Sequence, residues 1–114
     1  MRSSTRRLPR VALDGLHSYE AESDLRAVIR FTRAQWSAAQ VRRYVSALER
    51  GIANLAEGKV PFKDMSVLYP ALRMARCQHH YVFCLPQEDA PALIVAILHE
   101  RMDLIKRLAD RLNE

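Results

Sequence analysis

The chain has 114 residues, enough for one domain with its own core and too few for two. Its residues are 49% apolar, yet no apolar run is long enough to cross a bilayer and the basic start lacks the apolar segment of a secretory signal, so a cytoplasmic place without membrane contact is expected. The net charge of +5 is uneven: residues 1–17 hold four arginines against Asp14, and the rest is nearly balanced at 14 basic to 12 acidic residues, which argues against a dedicated duplex DNA binder.

Residues 1–17 read as a basic extension. It carries a candidate strand at Arg10–Leu13, interrupted by Gly15 and His17 before the first helix. The domain proper is expected over 18–114. Ser18 can cap a helix whose stripe is Leu25, Val28, Ile29, Thr32 and Trp36, with Arg26, Arg30 and Arg33 along another face. Ser37-Ala38-Ala39-Gln40 has the capping-box pattern, so a second helix starts there, with Val41, Tyr44, Val45, Leu48, Ile52 and Leu55 as its core face and Gly58 as its stop. The short link predicts a helical hairpin, with Trp36 at its tip.

A loop from Lys59 to Pro70 follows, tied down by Phe62, Met65, Leu68 and Tyr69. Leu72–Cys77 and His80–Leu85 are predicted to pair as a hairpin, Pro86–Pro91 to form a polar turn, and Ala92–Leu98, apolar on both faces, to be a central strand. A final helix places Leu104, Ile105, Leu108 and Leu112 on one side and Arg101, Lys106, Arg107 and Arg111 elsewhere. These cations are expected to be dispensable for the core and free for recognition. The class is α+β: a helical hairpin on a small antiparallel sheet, with a short C-terminal helix.

In a tight hairpin Cys77 faces His80 and Cys84 faces Arg73, so the thiols are expected to be free. Their spacing gives no zinc framework, and no metal or cofactor is expected. Arg73, Arg76, His79, His80, Tyr81, His99 and Arg101 form a partial acid-base set for RNA cleavage. Each has a plainer role: His79 and His80 as turn residues, and His99 as a cap at the strand-helix junction, bonding backbone or Asp103.

Four blocks carry a family likeness: Ala21-Glu22-Ser23-Asp24-Leu25, Pro61-Phe62-Lys63-Asp64-Met65, Leu72–Cys77 with His79–Cys84, and Ala92–Leu98 running into His99-Glu100-Arg101-Met102-Asp103-Leu104. From about Ser18 onward the chain resembles the ParE branch of the RelE/ParE toxin superfamily, in particular the ParE toxins of plasmid-stabilising ParDE systems. The resemblance implies a RelE/ParE-like fold and a non-enzymatic toxin that poisons DNA gyrase and blocks replication. It also implies neutralisation by a ParD-type antitoxin whose disordered segment folds on the toxin. The alternative is a ribosome-dependent mRNA endonuclease of the RelE branch. That branch carries Tyr-Arg-Val-x-Tyr on its third strand, where this chain reads His80-Tyr81-Val82-Phe83-Cys84, without the arginine. A third reading makes residues 1–17 a nucleic-acid arm on an inert adaptor. Under the toxin reading, Arg101, Lys106, Arg107, Arg111 and Trp36 are candidates for contact with gyrase, and Arg26, Arg30, Arg33, Arg73 and Arg76 for contact with the antitoxin.

Overall fold

The structure, a computed structural model, describes residues 16–100 and 103–112. The expected strand at Arg10–Leu13 and the candidate Arg101 lie outside the described residues, as do the side chains of Leu104 and Ile105.

Local signals set both N-terminal helices. Helix α1 (Tyr19–Gln35) begins where the Ser18 hydroxyl accepts the Ala21 N–H, and α2 (Ala38–Ala56) begins at a full Ser37/Gln40 capping box. At its far end Gly58 enters the left-handed region at φ 74°. The Gly58 N–H then reaches Leu55 O and the Lys59 N–H reaches Asn54 O, satisfying two carbonyls that the helix leaves open.

Among the described residues the sheet has four antiparallel strands in the order β1-β2-β3-β4: Lys63–Asp64, Arg73–Cys77, His80–Gln87 and Ala90–His99. Cys77 pairs with His80 and Arg73 with Cys84, the register expected from the sequence, and both thiols are free and buried. Two expectations need correction. The Lys59–Pro70 segment contains the two-residue β1, and of the residues expected to tie it down, Phe62 and Leu68 stay exposed while Met65 and Tyr69 pack on the core. The polar turn after β3 shrinks to Glu88 and Asp89, with Asp89 at φ 55°, because Gln87 and Ala90 still pair beyond an irregularity in the ladder.

The pleat divides the core in two. Val82, Cys84, Ile94 and Ile97 face Leu48, Ile52 and Leu55 of α2 and Ala21 and Val28 of α1. Phe83, Leu93, Val95, Ala96 and Leu98 face Leu72 and Leu108 of α3 (Leu104–Leu112). Strand β4 is buried from Ala92 to Leu98, as its apolar run predicts. Adjacent Val95 and Ala96 share one face because Ala96 pairs with Phe83 and Ile94 with Cys84, leaving Val95 as the extra residue of a bulge.

Strand β4 ends the four-strand order, yet its outer edge is closed. Leu16 O and the Ser18 N–H bond to the two sides of Ile94, in a parallel bridge centred on His17. Further along, the Asp24 carboxylate accepts the Ile97 N–H, and Arg111 donates to Val95 O.

Candidate functional site

Tyr44 gathers the conspicuous polar side chains at the open end of the sheet. From α2 its hydroxyl accepts the His79 N–H at 3.1 Å and lies 2.7 Å from His80 Nδ1. One hydrogen lies between the two atoms, donated by the phenol or by Nδ1 according to the His80 tautomer. Burial, reinforced by the neighbouring His99 and His79, lowers the His80 pKa to about 4 and keeps the ring neutral; burial also raises the phenol of Tyr44. The His99 ring stands edge-on to His80, 5.2 Å between centroids. One turn residue away, Glu100 takes Arg76 at 2.6 Å and His79 at 3.1 Å.

His80 is therefore not the turn residue expected from the sequence. It is a buried strand residue, and the two-residue turn is Gln78-His79. Asp103 caps α3 by accepting the Lys106 N–H.

As a nuclease set these residues are scattered. His80 points toward α2, bonded to Tyr44, whereas its neighbour Tyr81 packs on the opposite face of the sheet. Arg76 and His79 share Glu100, and the Arg73 guanidinium lies 4.4 Å above the Phe62 ring. Among the described residues, no group of three or more His, Cys, Asp or Glu side chains could hold a metal ion.

The cations expected to contact partners also divide. Arg26 pairs with Glu22 one turn away, and Arg30 and Arg33 are exposed on α1. Arg73 and Arg76 fall on opposite faces of β2 by strand parity and do not form one patch. On α3, Lys106 and Arg107 are exposed as expected. Arg111 is not a free cation: both of its terminal nitrogens reach the Asp24 carboxylate, at 3.1 and 3.0 Å, and one also donates to Val95 O at 2.9 Å. It braces the bulged edge of β4, since a half-buried carboxylate accepting Ile97 N–H needs a counter-charge.

The β1–β2 edge is a second feature. Lys63 pairs with Met74, and the same register would set Pro61 opposite Arg76, where proline has no N–H to continue the ladder. Beyond β1 a groove of about 610 Å³ opens along β2, lined by Gly51, Pro61, Lys63, Ala75, Cys77 and Tyr81 among others. Tyr44 was legible only as a core residue, and Asp24 and Glu100 gave no sign of their partners.

A family model for the ParE toxin of the type II toxin-antitoxin system parDE matches residues 18–104. The chain is also 73% identical, over 94 residues, to the Toxin ParE of Escherichia coli, a match spanning 82% of this chain and 91% of that protein.

Proposed function

The chain belongs to the ParE toxin family of type II toxin-antitoxin systems, and from that membership we propose that it kills by binding DNA gyrase and stalling it on cleaved DNA, with no bond-making chemistry of its own. The observation that favours binding over catalysis is the fate of His80. At the start of β3 this histidine is buried, held neutral and committed to Tyr44, so it is unsuited to moving protons at a ribose hydroxyl.

Neutralisation is assigned to a ParD-type antitoxin. The groove beside β2, open where Pro61 halts β1, suits an extended segment that folds as it binds. Arg26, Arg30 and Arg33 on α1 are the cations we assign to an acidic antitoxin tail, joined by Arg73 and Arg76 at the sheet. Lys106 and Arg107 are assigned to gyrase with Trp36; Arg111, already paired, is withdrawn from that role.

Induced cells labelled briefly with thymidine and methionine separate the readings. Thymidine incorporation is expected to fall first, and purified toxin with gyrase and supercoiled plasmid is expected to yield linear, protein-linked DNA. Immediate loss of methionine incorporation with thymidine uptake intact would instead assign the toxin to the RNA-cleaving branch.

A further inference from the structure

At the tip of the helical hairpin, against the β2–β3 turn, lies a hollow of about 290 Å³ lined by Trp36, Gln40, Arg43, Tyr44 and Gln78. Trp36 is the only tryptophan of the chain and keeps 40% of its surface exposed. Its ring is held edge-on to Tyr44, 5.3 Å between centroids, and Tyr44 is itself fixed by its bonds to His79 and His80. One wall of the hollow is thus a rigid aromatic corner. Gln78 lines the same hollow from a backbone at φ 58°, a conformation that non-glycine side chains seldom adopt. Gln40 spends its side-chain oxygen on the Ser37 N–H, which leaves its amide nitrogen as a donor. The Arg43 guanidinium has no ion pair or hydrogen bond among the described residues, whereas Arg76, at the same end of the sheet, is paired with Glu100.

An unpaired guanidinium, two amide donors and a fixed, half-exposed tryptophan form a small pocket of the kind that dominates protein-protein binding energy. Trp, Tyr and Arg are the residue types enriched at such points. A nucleic-acid strand brings a phosphate at every nucleotide and calls for several cations, whereas the hollow supplies one. Building on the reading of the chain as a toxin that acts by binding a protein, we propose that this corner receives one acidic side chain of that target together with an adjoining apolar side chain. The carboxylate bonds to Arg43 and the amide nitrogens, and the apolar group lies on Trp36.

The test uses the full chain with Arg43→Glu, Arg43→Lys and Trp36→Ala. Arg43 is exposed and unpaired, so its variants are expected to melt with the wild type, which keeps the experiment interpretable even if Trp36→Ala weakens the hairpin. Plating efficiency after induction tests the corner, and linear DNA from gyrase and supercoiled plasmid tests the target. Arg43→Glu is expected to kill at least tenfold less, with Arg43→Lys recovering much of the activity and antitoxin affinity unchanged.

Killing by Arg43→Glu within twofold of wild type would overturn the proposal. So would a parallel loss of antitoxin affinity, which would make the corner an antitoxin site. Loss of a self-association seen in the wild type would give it to a second copy, and saturable quenching of Trp36 fluorescence by an oligothymidine would give it to nucleic acid; either result overturns it too. If wild-type toxin produces no linear DNA but the Arg43 variants still lose killing, the gyrase assignment fails and the corner stands.

Discussion

Of the cations assigned to the last helix from its sequence, Lys106, Arg107 and Arg111 have different fates, and Arg111 shows why. It follows Leu104 by seven residues and Leu108 by three, a spacing that sets it beside the apolar stripe. The periodicity therefore held the sign that it turns toward the sheet; the partner was hidden, because Asp24 lies 87 residues away on another helix. Arg111→Ser removes one side of a largely buried pair and strands the Asp24 carboxylate, at an expected cost of about 2–3 kcal/mol. Lys106→Ser and Arg107→Ser are each expected to stay within about 0.5 kcal/mol. Urea unfolding of the three variants checks this, and equal midpoints would remove the brace from Arg111. His80 gives a pH signature. Its folded pKa, about 4, lies below the ordinary 6.5, so the unfolded chain binds more protons between those values. Stability is complete above about pH 6.5 and falls with acidification toward pH 4. Between pH 7.5 and 5 the expected loss is about 2 kcal/mol, and most of that dependence should vanish in His80→Gln. Parallel pH profiles for the two proteins would show that another group titrates.

At the scale of elements, what the sequence made legible was what is encoded locally. Ser18, the Ser37/Gln40 box and Gly58 each act within a few residues, and all sit where the pattern placed them. Strand β1 was not legible, because Lys63 and Asp64 have little β preference and are strand only by pairing with Met74 and Arg73. Nor could spacing show that Pro86 and Pro91 lie within strands; both flank the irregular end of the β3–β4 ladder, where missing N–H groups are tolerated. The approach of α2 to β2 was equally hidden. A Cβ on Gly51 would come within 2.9 Å of Cys77 Sγ, so this helical glycine is set by packing. Gly51→Ala alone is expected to be neutral or destabilising. Added to Cys77→Ala, which removes the sulfur, it should give back the helix-propensity gain of about 1 kcal/mol. The same gain in both backgrounds, measured by thermal melts, would show that the helix and strand separate easily.

Across the whole molecule, the sheet carries two cores, and its two outer edges are treated differently. Pro61 leaves β2 open beside a groove, whereas β4 is sealed by Leu16, Ser18, Asp24 and Arg111, drawn from distant parts of the described chain. The chain's α+β class was legible in its change of period from helical to alternating. The division of its cations was not, since charge on a helix says nothing of which carboxylate awaits it. The seal on β4 also sets a timescale. Closing an 87-residue separation costs chain entropy before any contact offsets it, so the Asp24–Arg111 pair belongs after the folding barrier. Arg111→Ser should then leave the refolding rate within about twofold and raise the unfolding rate about 30- to 100-fold. Stopped-flow chevrons measure both limbs, and a slowed refolding limb would put the pair in the nucleus. On this account the pair does nothing to hasten the birth of a folded molecule and instead lengthens its life, the interval over which a protease finds no open chain to cut.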